Sequence, residues 1–553
     1  MNRRLLKLIV ITPFTMGIIT GGITGCAKPS SPDNPAATAQ EVAEVTHVLP
    51  NARVIARGAN ISGANGIHFG PDGLLYVASV IGSELIALDP ADGEIKHRWG
   101  SDQGVQGPDD VAFNASGDYF WTSILTGEVA GFTADGERVV AAKLGPGVNP
   151  ITFSNDGRLF VAQCFFDTGL YEIDPKGVKE PRLISGDLGP GCGLNGMDWG
   201  PDDRLYGPRW FQGSVVSFDV DSGEMREEVT GLQVPAAVKF NSKGHLHVLD
   251  TAAGKVHRVV DGELVTIANL TPGLDNFAFD ADDVLFVSSF TDGFVARVEN
   301  DTLIELAPGG MAHPGGVAVH NGQVVVADFH SIRAYTPDTG DPIFVQRNIL
   351  GVSEIGSIVS IADDGDNLIL TSWMDGNVRI WDPANEKTLA RFDGLAAPVH
   401  AVRFGSAIAV TLHGNRTLVL IDADGTISEL AAGFTAPTGL AVLGDDLLVT
   451  DRSAGRVLRV TRAGLVETLA TGLEAPEGIA VVGERIFVNE SEKGTITEIT
   501  RSGNVVVTRL DGGGTPPASP SQPPSMIFNG LAAGDDVLFA TDEKQRALYR
   551  IDI

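Results

Sequence analysis

Asn65, Asp109, Asn149, Asn195 and Asp275 each stand two residues before an apolar position, in a series that recurs about every forty residues. Side-chain oxygens of this kind suit a hard divalent cation. Asn and Asp also begin strands by satisfying nearby backbone groups, so the pattern alone leaves both readings open. The same place in the fifth repeat holds Ala236. A second series follows: Gly315, Ser357, His400, Thr438, Glu477 and Asn529, of which His400, Glu477 and Asn529 are ligand types. His400 and Glu477, with His330, His413 and Glu490 in turns assigned to the same face, form a candidate general-base or transition-metal cluster; polar groups satisfied among themselves at a wet mouth are the alternative, and the one the separation of the blades favours. Arg209 and Trp210 interrupt a run of small residues, and Phe165 and Phe166 hold the equivalent place one repeat earlier. An arginine beside aromatics could hold a carboxylate or sugar ligand; a local packing plug is the alternative. The sequence contains no CxxC motif or phosphate-binding loop, and residue order alone assembles no Ser-His-Asp set.

The elements that position these residues are clearest in residues 436–472. Four short runs of Val, Leu and Thr, at 439–443, 447–450, 456–460 and 466–470, are separated by Gly/Asp/Ser turns. They predict four antiparallel strands, after which the pattern restarts at Ala475. Twelve such repeats run from Asn65 to the C-terminus, the last preceded by a Pro/Ser-rich insertion at 512–525. A four-stranded unit with a period near forty is one blade of a β-propeller. The fold class is therefore all-β, with twelve four-stranded blades. A twelve-bladed ring would leave a wide hole, so two six-bladed propellers in tandem are expected, 51–308 and 309–553. The last repeat stops after its third strand, and an orphan strand, Arg53–Arg57, precedes the first. In a simple tandem Arg53–Arg57 closes blade six, and 303–307 crosses over to close blade twelve. The 67 glycines, 30 prolines and 7% aromatics suit a turn-rich β chain. A formal charge of −30 argues against a nucleic-acid partner.

Residues 1–25 read as a processing segment: Arg3, Arg4 and Lys7, an apolar stretch broken by Pro13 and glycines, then Ile23-Thr24-Gly25-Cys26. The last four resemble a bacterial lipobox, which implies lipidation of Cys26, a membrane partner through that lipid, and a cell-envelope location. Ala27 after the cysteine implies the outer membrane if the source is Gram-negative. Residues 26–50 are a tether. Cys164 and Cys192 fall on one side of adjacent blades and are either a disulfide or two reduced thiols.

NGIHFGPDGLLYVAS, GPDDVAF and LNGMDWGPDDRLYG resemble the SMP-30/gluconolactonase/LRE group of six-bladed lactonases, and more loosely NHL-repeat proteins and the virginiamycin B lyases. The resemblance implies one Ca2+ or Zn2+ ion at the channel mouth and hydrolysis of a lactone or small ester. Asn149 and Asn195 match the group's Asn positions. Its first-blade Glu corresponds to Asn65, and its fifth-blade Asp to Ala236. The implied metal set is Asn65, Asp109, Asn149, Asn195 and Asp275, with Asp109 and Asp275 as acids and Arg209, Trp210 and Phe165 against substrate. The competing expectation is a non-enzymatic lipoprotein that binds a small molecule or a protein.

Overall fold

The computed structural model describes residues 52–189, 191–510 and 528–553. Cys26, the leader, the tether to residue 50 and the 512–525 insertion lie outside the described residues. Forty-eight strands form twelve four-stranded antiparallel sheets. Blade ten shows the pattern: Pro437–Leu443, Asp446–Asp451, Arg456–Val460 and Val466–Ala470. Its second strand is buried on both faces because blades stack face to face, while the outermost strand is mostly exposed. Leu440, Leu447, Val449, Leu458 and Val460 of blade ten pack on Phe404, Ala409 and Leu418 of blade nine. Each such fully buried side chain contributes about 1.5–3 kcal/mol.

A hydroxyl on the second strand links each of several blades to the next. Thr122 donates to the carbonyl of Asn149, Thr411 to that of Thr438 at 2.6 Å, and Thr450 to that of Glu477 at 2.7 Å. Two members of the series close the circles. Ser288 of blade six donates to the carbonyl of Asn65 in blade one, and Thr541 of blade twelve to that of Gly315 in blade seven. The apolar contacts agree. Ile67, Leu75 and Val77 pack with Phe286 and Val295, and Val317, Val324 and Val326 with Val537 and Phe539. Blades one to six and seven to twelve are thus two separate rings. The blades meet so closely at their inner strands that Gly66 has no room for a side chain: an added Cβ would lie 2.6 Å from the Cα of Asp110.

The closure corrects the simple tandem. Ala52–Arg57 pairs with the third strand of blade twelve, Ala52 opposite Ile551 and Arg57 opposite Ala547. Blade six takes its own fourth strand, Thr302–Ala307. The physical reason is local. Asn300 and Asp301 both have positive φ, 49° and 61°, and make a two-residue turn that folds this strand directly back on Val295–Glu299. Blade twelve has three strands of its own among the described residues, and its open edge pairs with Ala52–Arg57. The first ring is therefore inserted between the outermost strand of the second ring and the remainder of it.

The mouth-side loops of both rings meet. Arg333 of blade seven donates to Asp328 of its own blade and, at 2.8 Å, to Asp292 of blade six. Arg347 reaches the other oxygen of Asp292 at 2.7 Å. The Trp210 indole N–H of blade four donates to the carbonyl of Leu350 at 2.8 Å.

Candidate functional site: the mouth of the first ring

The first strands of blades one, two and three each carry a register shift, between Ala64 and Ile67, Pro108 and Val111, and Val148 and Ile151. The bulge frees Asn65, Asp109 and Asn149 from the ladder at the channel mouth. Asn195 and Asp275 take the corresponding places just ahead of their strands, held by Asn195 N–H to Pro208 O and Asp275 N–H to Ser288 O. Among the described residues no hydrogen bond reaches the side chains of Asn65, Asp109, Asn149, Asn195 or Asp275. Asp109 is nonetheless buried. Burial raises its carboxyl well above the usual range, and the charges of Asp275 and Asp110 raise it further. Burial also pushes Asp275 up to about 7, with Asp110 adding to the effect. Asp109 and Asp275 belong to blades two and six, on either side of blade one. Asp275 is thus near enough for its charge to act on Asp109.

One residue on, the acids have a different task. Asp110 accepts the backbone N–H of Val111 at 2.9 Å and that of Ile151 in the next blade at 3.4 Å. Asp198 likewise accepts Trp199 N–H at 2.9 Å and, across to blade five, Phe240 N–H at 2.7 Å. Burial pushes Asp110 up to about 6 against the opposing charge of Lys239, which also opposes the burial-driven rise of Asp198. Burial, aided by Lys239, drives His68 down to about 4. Sequence reasoning missed this deeper layer of His68, Asp198 and Lys239. Their signal was available: each lies three residues after a mouth position, at Asn65, Asn195 and Ala236.

Blade five breaks the polar ring. Ala236 is buried in a cluster with Trp210, Leu274 and the disulfide-bonded Cys164 and Cys192, and Ile349 of the second ring packs against that cluster. The indole N–H of Trp210 is committed to Leu350, so only its ring face remains for a ligand. Arg209 donates to Leu188 O at 3.3 Å, and its Nε is buried without a partner. Phe165 adopts a left-handed backbone, φ 66°, and its ring meets that of Phe211 edge to face at 6.5 Å.

In the second ring Glu477, Asn529 and His400 are engaged in internal hydrogen bonds, while the buried Nδ1 of His413 has no partner among the described residues. Glu477 accepts from Arg452 at 2.7 Å, Ser491 at 2.8 Å, and both the backbone N–H and the side-chain amide of Asn529. The amide oxygen of Asn529 accepts Glu543 N–H at 2.8 Å. His400 lies one place deeper than its alignment with Asp109 assumes. The shift between Pro398 and Ala401 puts Val399 at the mouth and His400 level with Asp110. Its Nδ1 accepts Leu440 N–H at 3.0 Å, and its ring lies against Phe528, 5.0 Å between centroids. Blade eight is also displaced, with Ser360 and not Ser357 beginning the paired strand. Asp328, Asp451 and Glu490 cap the loops into their own blades, accepting from His313, Ala436 and Glu474 N–H respectively. Among the described residues no three His, Cys, Asp or Glu side chains come together as a metal site, so the His330/His400/His413/Glu477/Glu490 cluster does not assemble.

The first mouth thus presents two carboxyl groups and three amides without a hydrogen-bond partner among the described residues. An all-oxygen set fits Ca2+ better than Zn2+, which favours nitrogen and sulfur. Without a cation, two buried like-charged carboxyl groups retain protons toward neutral pH.

No protein-family model and no curated protein sequence matches the chain. Among solved structures, virginiamycin B lyase from Staphylococcus aureus is similar over 50% of this chain and 95% of its own, at 14% identity and a TM-score of 0.37. A streptogramin B lyase is similar over 50% and 94%, at 17% identity and a TM-score of 0.37. The extracellular domain of the hybrid two-component system BT4673 from B. thetaiotaomicron is similar over 90% and 82%, at 12% identity and a TM-score of 0.31. These likenesses carry no argument about chemistry. The fold rests on the strand pairing and ring closure above.

Proposed function

We propose that the mouth of the first ring holds one hard divalent cation and hydrolyses a lactone or small ester there. The observation that supports this is the set of five polar side chains at the mouth positions with no hydrogen-bond partner among the described residues, two of them carboxyl groups raised by burial. Asp109, Asn65, Asn149 and Asn195 would supply ligand oxygens. A bound cation would polarise the substrate carbonyl. Asp275, titrating near 7, has the proton affinity a general base needs near neutral pH, taking a proton from water and returning it to the departing oxygen. Asp110 and Asp198 hold the blades in register beneath the site through their cross-blade bonds.

The second reading is a binding protein without turnover. Asn65 and Ala236 favour it, because they stand where the related lactonases carry acids. In either reading the chain is proposed to sit in the cell envelope, anchored through a lipid on Cys26. No helix among the described residues is long and apolar enough to cross a membrane.

The deciding experiment uses the full chain carrying Cys26→Ser, so that no lipid is attached. Metal content by mass spectrometry is measured beside a lactone hydrolysis screen with and without chelator. About one ion per chain with chelator-sensitive turnover is the expected result. An ion without turnover leaves the binding reading, and neither ion nor turnover removes the enzyme reading altogether.

A further inference from the structure

Beside the mouth of the first ring lies an exposed apolar surface to which both rings contribute. Phe165, Phe166 and Phe211 of the first ring and Leu350 and Val352 of the second are 41–60% exposed, although each lies on a mouth-side loop near the junction of the rings. They are connected across that junction. The rings of Phe165 and Phe211 are in contact, and Phe211 lies against Gly351, where an added Cβ would be 3.2 Å from its ring. Gly351 has φ +102°, a backbone that tolerates little but glycine, so the loop presents a flat, side-chain-free face to Phe211. The bond from Trp210 to Leu350 O pins the same loop, and Ile349 enters the cluster beside Ala236. The apolar sector of the mouth around Ala236 is thus continuous with that surface.

We infer that this surface forms a cleft, completed by the second ring, that serves as the substrate subsite for an apolar chain attached to the lactone or ester whose carbonyl is held at the mouth. The inference rests on the proposed function for the position of the carbonyl. The cleft itself is argued from the exposed aromatic and aliphatic surface adjoining unpartnered oxygen donors. A wholly polar ligand would leave that surface wet, whereas an amphiphilic one covers it while its carbonyl meets the donors. The occupant is therefore a small molecule with an oxygen-rich head and an apolar tail of several carbons.

The test compares γ-decalactone, which carries a hexyl chain, with unsubstituted γ-butyrolactone on the full Cys26→Ser chain. Binding is followed by titration calorimetry and hydrolysis by proton release. Burying two or more methylenes gives decalactone a preference of at least about tenfold in affinity. Phe211→Ala and Val352→Ser, both at exposed positions, are expected to bring that ratio down severalfold, with thermal melting confirming that each variant folds. A ratio near one in the parent chain, a ratio that survives both substitutions, or no decalactone binding overturns the subsite. Cation content and chelator-sensitive butyrolactone hydrolysis report on the mouth alone. A chain with cation and turnover but no chain-length preference refutes the cleft and spares the mouth. One with decalactone affinity dependent on Phe211 but no cation supports the cleft and refutes the mouth.

Discussion

If Ala52–Arg57 closes the second ring, a charge placed on its inner face must loosen blade twelve and leave blade six untouched. Val54→Asp is the sharpest such change. Val54 lies opposite Tyr549 and packs with the apolar cluster of blades eleven and twelve. It is half-buried, so losing its apolar surface costs about 1 kcal/mol. A carboxylate set there without a partner adds desolvation of about 1–3 kcal/mol. A total near 3 kcal/mol multiplies the local opening equilibrium by roughly a hundredfold. Hydrogen exchange read by mass spectrometry resolves the two rings by peptide. Exchange is expected to rise by about two orders of magnitude in peptides covering 537–552, less in 317–335, and not at all in 285–307. Gly340→Ala provides an independent route to the same result. Its φ is +73°, and an added Cβ would lie 1.9 Å from the carbonyl oxygen of Ile55. Faster exchange in blade six, or an undisturbed blade twelve, would refute the closure.

Four further outcomes follow from the same geometry. Asp275 is raised from its ordinary value to about 7, so the folded chain holds a proton there that the unfolded chain has lost. Cation-free stability should therefore fall between about pH 4 and 7 by at most about 1.4 kcal/mol per unit and then level off, and added Ca2+ should reverse the loss; denaturant titrations across pH measure both. His68, His330 and His400 are each pushed down to about 4 by burial, so each opposes that trend: stability falls as pH drops from about 6.5 toward 4, and His400→Gln should reduce the slope in urea titrations. The Cys164–Cys192 bond closes a 28-residue separation, and Cys164→Ser with Cys192→Ser should cost about 3–4 kcal/mol, seen as a lower urea midpoint that reductant no longer shifts. Asp292→Asn leaves Arg347 without its carboxylate and should cost about 3 kcal/mol at the junction, read in calorimetry as two thermal transitions where the parent shows one.

The blade was legible in the sequence because its signal is local. In blade ten, Arg456–Val460 and Val466–Ala470 match the apolar runs at their ends, since Gly and Asp turns punctuate strands on both sides. Ring closure was not legible in the same way. RVIAR resembles any outer strand, and its partner is settled by which edge is left open nearly five hundred residues later. The decisive clue was the Asn300-Asp301 turn, which makes Thr302–Ala307 the natural partner of the strand before it. The mouth positions of the first ring were readable from spacing because Asn65, Asp109 and Asn149 all precede the same apolar step. His400 was misplaced by one residue because the bulge between Pro398 and Ala401 hides in Val399, an apolar residue where a polar one was expected. A shift of one residue at a bulge converts a ligand candidate into a bolt between blades.

The two mouths differ in how their polar groups are satisfied, and this difference separates the rings more firmly than residue type does. Glu477 is as good a cation ligand in isolation as Asp109. Arg452, Ser491 and Asn529 already saturate it, so a cation would have to displace an arginine and three other bonds. Among the described residues Asp109 has no hydrogen bond to displace, and burial, with the charges of Asp275 and Asp110, raises its carboxyl so that a proton competes for the same oxygens. Burying an acid without partners is costly to the fold, at roughly 1–3 kcal/mol or more for each such group. The second ring avoids that cost with an internal network, and Phe528 against His400 covers what remains. The first ring bears it, and the second ring contributes the loop 347–352 beside its mouth. On the proposal made above, that division would make the second propeller a wall of the site; what the structure shows is a second ring joined to the first through Asp292 and closed by the strand Ala52–Arg57.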